Sequence, residues 1–95
     1  MKLAFRPGAE RHIDEAREWY GAHSPDLEER FAATLADTLS TVLDHPLAFQ
    51  EVERGVRRAP LPVFPYVVYY RPTAQAVRVL AVLHTKRHPE TWKTR

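Results

Sequence analysis

Residues 56–71 read Val-Arg-Arg-Ala-Pro-Leu-Pro-Val-Phe-Pro-Tyr-Val-Val-Tyr-Tyr-Arg, and after Pro-Thr-Ala-Gln the chain resumes at 76–84 as Ala-Val-Arg-Val-Leu-Ala-Val-Leu-His. β-Branched and aromatic residues at this density are satisfied as paired, largely buried strands. Three strands are expected, about Val56 to Leu61, Tyr66 to Arg71 and Ala76 to His84. The Pro72–Gln75 turn is short enough to make the last two an antiparallel hairpin. The last strand is apolar on nearly every residue except Arg78 and His84, which predicts a central position. Pro60, Pro62 and Pro65 each lack a ladder donor, so the first strand of the three reads as an edge or irregular strand.

Outward from this block, Leu47 to Gly55 has no clear period and reads as a loop. Before it, Leu27, Phe31, Leu35, Leu39 and Val42 form an apolar helical stripe that Leu43 widens, stopped at Asp44-His45-Pro46. Ser24-Pro25 opens that helix with an N-cap acceptor and a tolerated proline, and Asp26, Glu28 and Glu29 suit the positive end of its dipole. Ala9, Ile13, Ala16 and Tyr20 lie on one face of an earlier helix, with Gly21 as its expected C-terminal breaker. Lys2 to Phe5 is a plausible first strand. The order strand, helix, helix, strand, strand, strand predicts one α+β domain over residues 1–95, a helical hairpin on a mainly antiparallel sheet.

Charge divides the chain. Met1 to Glu53 carries five Lys/Arg against eleven Asp/Glu, a balance of −6; Arg54 to Arg95 carries nine Lys/Arg against Glu90 alone, a balance of +8. Such asymmetry suggests an anionic partner for the second half, nucleic acid or an acidic protein segment, although basic residues also serve simply to solvate an exposed sheet face. Absence of cysteine removes disulfides and thiolate chemistry. No apolar run nears the ~20 residues of a membrane span, and the start is unlike a signal peptide, so a cytoplasmic location is expected.

Two constellations could carry chemistry. His84, Lys86, Arg87 and His88 cluster at the end of the last strand, where a histidine can exchange protons and an arginine can stabilise phosphorane-like charge. The alternative is a histidine that caps the strand and packs under Trp92. His84 and His88 also have the spacing of half a zinc site, but no cysteine completes it and no cofactor is expected. The second constellation is Arg54, Arg57, Arg58 and Arg71. Adjacent strand residues face opposite ways, so only one of Arg57 and Arg58 can join a shared patch; the other is expected to pair with a helix-side carboxylate. Tyr66, Val68 and Tyr70 fall on one face and Val67, Tyr69 and Arg71 on the other, with at least two of the tyrosines in the core.

An Arg-Arg strand, Phe64-Pro65-Tyr66, Tyr69-Tyr70, Val82-Leu83-His84 and Arg87-x-Pro89-x-x-Trp92, with Trp19-Tyr20 in the first helix, together resemble the RelE/ParE superfamily of bacterial toxins, and its ParE branch most. The resemblance implies the fold written above and a growth-arresting toxin neutralised by a cognate acidic, ParD-like antitoxin in a hetero-oligomer. ParE-branch toxins act against DNA gyrase without being enzymes. The RelE branch cuts mRNA on the ribosome with several sheet lysines and arginines and a C-terminal Tyr or His. Here only Lys2, Lys86 and Lys93 exist and no tyrosine follows Tyr70, which favours the gyrase branch. If the chain is a ribonuclease, His84 is its acid/base, and Arg58 and Arg87 bind phosphate. Arg57, Arg58, Arg71, His84, Arg87 and Trp92 are the expected target- or antitoxin-binding residues.

Overall fold

Prolines start both helices, where the missing N–H is no loss. In the computed structural model, which describes residues 1–86, α1 runs Pro7–His23 and α2 runs Pro25–Asp44. Ser24 alone joins them, closing α1 through its N–H to the Tyr20 carbonyl and capping α2 by accepting the Leu27 N–H at 3.4 Å. Gly21 therefore does not end the first helix. The Glu28 side chain lies over it, so close that an added Cβ would meet Glu28 Oε1 at 2.6 Å. Arg17 Nε donates to Glu28 Oε2 at 3.1 Å and ties the two helices across the same seam.

The strands are β1 (Lys2–Phe5), β2 (Glu51–Glu53), β3 (Val56–Pro60), β4 (Tyr66–Pro72) and β5 (Ala76–His84), in the sheet order β1-β5-β4-β3-β2. β1 pairs in parallel with β5, and every other pairing is antiparallel. β5 is interior, as its apolar run predicts. The prolines suggest an edge or irregular strand: β3 is not the edge, because Glu51-Val52-Glu53, which has no apolar period, pairs outside it as β2, but its pairing with β2 is irregular, with a register shift between Glu51 and Glu53. The ladder with β2 reaches only Val56 and Arg57, so Pro60 lies beyond it and costs no bond on that side. The β4–β5 turn closes on Thr73, whose hydroxyl donates to the Ala76 carbonyl at 2.9 Å and accepts the Ala76 N–H at 3.1 Å.

The sheet has two buried faces. Phe31, Leu35, Leu39 and Val42 of α2, with Ala9, Ala16 and Tyr20 of α1, pack on Ala59, Val68, Tyr70, Val77, Val79 and Val82. On the opposite face the strand residues Val56, Val67, Tyr69, Leu80, Ala81 and Leu83 form a second buried cluster. Leu80 joins it through a register shift: Tyr69 pairs Ala81 while Tyr70 pairs Val79, leaving Leu80 as the extra residue. Tyr69 and Tyr70 are thus core on opposite faces, and Tyr66 is half-buried at the rim.

Candidate functional site

Strand parity divides Arg57 from Arg58. Arg57 pairs with Tyr70 and turns to the helix side; Arg58 pairs with Tyr69 and turns to the other. Arg57 Nη1 donates to the carbonyls of Phe49 at 2.6 Å and Leu47 at 3.2 Å, and its Nη2 lies 4.0 Å from Glu51. Beside it, the buried Tyr70 hydroxyl donates to the Pro46 carbonyl at 2.7 Å. Burial raises the Tyr70 phenol pKa above its ordinary value, with the Arg57 guanidinium pulling the other way. These bonds hold the segment between α2 and β2, so Arg57 has carbonyl partners and a β2 carboxylate where a helix-side carboxylate was expected.

Arg58, Arg71 and Arg78 share the outer face, and Arg71 and Arg78 stand directly opposite each other on β4 and β5. Arg71 leans over the turn before β3, its Nη1 3.4 Å from the Arg54 carbonyl. Gly55 in that turn has φ +76°, so its backbone calls for glycine, and an added Cβ would lie 2.7 Å from Arg71 Nη1 and push that flexible side chain aside. The Glu51 carboxylate accepts the Gly55 N–H at 2.7 Å. Among the described residues, Arg54, Arg58, Arg71 and Arg78 have no carboxylate within ion-pair distance.

His84 lies on the helix side. Its ring meets the Tyr66 ring edge-on at 5.3 Å, and its Nδ1 accepts the Lys86 N–H at 3.1 Å, which puts the proton of the neutral ring on Nε2. It lines a groove of about 460 Å³ between α1 and the ends of β4 and β5, with His12, Glu15, Trp19, Tyr20 and Tyr66. Tyr20 stacks on Phe31, and burial, then Tyr66, raises its phenol pKa. Trp19 is 58% exposed, its ring 4.4 Å from that of His23. β1 ends at Phe5 and leaves β5 without a strand neighbour on that side beyond Val79, and there the Val82 N–H donates to His12 Nδ1 at 3.2 Å.

The loop beside this groove is strained. The Phe64 N–H bonds the Pro62 carbonyl at 2.7 Å around Val63, whose φ is +73°, and the Tyr66 N–H bonds the Phe64 carbonyl at 2.8 Å around Pro65. A γ-turn of the positive-φ kind is rare and strained, and here it holds a valine that is 86% exposed.

His84 and Arg58 occupy opposite faces of the sheet, so the fold does not bring together these two members of the grouping considered for a ribonuclease. Arg87, His88 and Trp92 lie outside the described residues. No group of three metal-ligating side chains occurs among the described residues. No helix among them is long and apolar enough to cross a membrane. Sequence reasoning missed His12 and Val63 as parts of this surface. His12 had no signal, because its role depends on where β1 stops; Val63 had one, since a lone valine between two Pro-containing pairs cannot join a ladder.

Relatives now give this architecture a name. Residues 3–89 match the model of the ParE toxin of the type II toxin–antitoxin system parDE. The chain is 30% identical over 89 residues to Toxin ParE2 of Mycobacterium tuberculosis, in both strain CDC 1551 / Oshkosh and strain ATCC 25618 / H37Rv, covering 93% of this chain and 85% of the relative. It also superposes on a chain from the chromosomal ParDE TA system of P. aeruginosa, with TM-score 0.76 at 16% identity, over 88% of this chain and 95% of that one. That last likeness is one of fold, and it matches the strand-helix-helix-strand order and mixed sheet derived above. The chain belongs to the ParE toxin family of type II toxin–antitoxin systems.

Proposed function

We propose that this toxin arrests growth by binding and inhibiting DNA gyrase, and that it does so without catalysing a reaction. Family membership supplies the toxin class. The observation that carries the non-enzymatic reading is the separation of His84 from Arg58 by the thickness of the sheet. Cleavage of RNA through the 2′-hydroxyl needs a proton acceptor, a donor and a phosphate clamp around one phosphorus. A supercoiling assay with the purified chain tests the proposal: supercoiling falls as toxin is added, and gyrase unaffected at large molar excess refutes it. Translation-coupled mRNA cutting abolished by His84→Ala would instead assign the ribosome as target.

The cognate antitoxin is proposed to be an acidic, amphipathic segment. Its apolar side chains would enter the groove beside α1, where Trp19 and Tyr66 offer apolar surface around His12 and His84. Of the arginines expected to meet its carboxylates, Arg57 is held by the α2–β2 segment and Arg58 points to the opposite face of the sheet, which leaves Arg87. Association should slow as ionic strength rises, since exposed cations steer the encounter. An on-rate indifferent to salt refutes that part.

A further inference from the structure

Four neighbouring strands each place one cation on the outer face. Lys2 of β1 pairs with Ala76, two residues before Arg78 on β5; Arg78 pairs with Arg71 on β4; and Arg58 on β3 pairs with Tyr69, two residues before Arg71. All four point away from the helices, because their strand neighbours Leu3, Val77, Tyr70 and Ala59 enter the helix-side core. With strands about 4.8 Å apart and about 3.3 Å per residue along them, the cations form a diagonal row about 20 Å long. Lys2, Arg71 and Arg78 are exposed and Arg58 is half-buried.

Placing Arg71 directly across from Arg78 is unfavourable in an isolated sheet, since like charges repel across a ladder. The sheet's own carboxylates among the described residues are Glu51 and Glu53, both on the far strand β2, and Glu51 already holds Gly55 and Arg57. We infer that this row is a binding site for the phosphate backbone of double-stranded DNA. Its chemistry selects against two other polyanions. An amphipathic acidic peptide needs apolar anchor points beside the cations, yet Val67, Tyr69, Ala81 and Leu83 of this face are buried. Single-stranded RNA is gripped by exposed aromatic rings on which bases stack, and among the described residues the one aromatic ring on this face, Tyr69, is only 7% exposed. What remains among the described residues is a line of cations without base-reading groups, which suits a backbone carrying one charge per about 3.4 Å of each strand. The inference goes beyond gyrase inhibition and is measurable without gyrase.

The test is fluorescence anisotropy of the full 95-residue chain with a labelled random-sequence duplex, titrated across salt. Four phosphate contacts give a slope of log K against log salt of about −3.6, or about 150-fold weaker binding at 200 than at 50 mM. Arg71→Gln with Arg78→Gln should reduce the slope by about 1.8. Arg11→Gln with Arg30→Gln, which removes the same charge from the exposed side of the helices, should leave it within error. Arg78→Gln alone, at a side chain without a hydrogen bond to a described residue, should reduce it by about 0.9 and guards against misfolding of the double variant. Equal slopes for the sheet and helix variants would overturn the inference, as would absence of duplex binding at 50 mM salt. It would also be overturned if polyglutamate or single-stranded RNA bound more tightly than duplex through the same two arginines.

Discussion

Arg57 and Arg58 are consecutive, chemically identical and carry opposite burdens, so replacing each in turn by methionine tests the face assignment directly. Methionine keeps an apolar stem of similar length and removes only the guanidinium. Arg57→Met deletes two charge-assisted hydrogen bonds, to Phe49 O and Leu47 O. Bonds of this kind contribute about 1.5–3 kcal/mol each when their partner is left unsatisfied. The Leu47 carbonyl is at an exposed residue and regains water, so its bond counts for little; the 4.0 Å pair with half-exposed Glu51 adds at most a few tenths. The expected loss is about 2–3 kcal/mol, which at 4–8 °C per kcal/mol lowers Tm by about 10–20 °C. Arg58→Met removes no hydrogen bond or ion pair formed with a described residue, and should stay within about 0.5 kcal/mol. Urea titration followed by far-UV circular dichroism measures both, and a constant m-value confirms that the midpoints report stability. Equal losses for the two variants, or an Arg57→Met loss below about 0.5 kcal/mol, would refute the reasoning.

Further outcomes follow from the same geometry. Trp19→Ala should leave stability nearly unchanged, because the ring is largely exposed, yet weaken antitoxin binding by about 30-fold in calorimetry if the groove is the antitoxin's seat. Val63→Gly should raise the unfolding free energy in urea titration by about 1 kcal/mol, since relief of the positive φ outweighs the entropy glycine adds to the unfolded chain; a loss of that size would contradict the strained turn. Gly55→Ala should cost about 1 kcal/mol and displace Arg71, measured by the same titration. Tyr70→Phe should cost about 1 kcal/mol near neutral pH through the lost bond to Pro46 O. Tyr70 titrates above its unfolded value of about 10, so the stability it contributes is complete below that pH and is lost as pH rises through the folded value. Tyr70→Phe should therefore also flatten the alkaline fall in stability, which urea midpoints measured from pH 8 to 11 would reveal.

The helices and the β4–β5 hairpin were legible because each is written in a local code. Ser24-Pro25 announces a helix start, the Leu27–Val42 stripe its buried face, and alternation in Tyr66–Arg71 the division of tyrosines between two cores. β2 was not legible, since it is held by pairing with β3 and by Arg57 rather than by any pattern in Glu51-Val52-Glu53. Gly21 misled for a related reason. A glycine near a helix end usually marks a left-handed cap, but here its missing side chain makes room for Glu28 of the next helix.

The arginines show where sequence reasoning about sites stops. Parity alone established that Arg57 and Arg58 part company, but which of them turns inward depends on register, and register follows from the pairings Arg57–Tyr70 and Arg58–Tyr69. A slip by one residue would send Arg58 to the α2–β2 carbonyls and Arg57 to the outer row. Arg78 entered the site by the same route. In sequence it is a lone charge in an apolar strand, and only the pairing with Arg71 makes it part of a line that includes Lys2 and Arg58. The positive half of the chain is therefore not one undifferentiated patch. Arg57 turns inward and holds the α2–β2 segment, while Lys2, Arg58, Arg71 and Arg78 turn outward, where their arrangement specifies a linear polyanion more narrowly than net charge could.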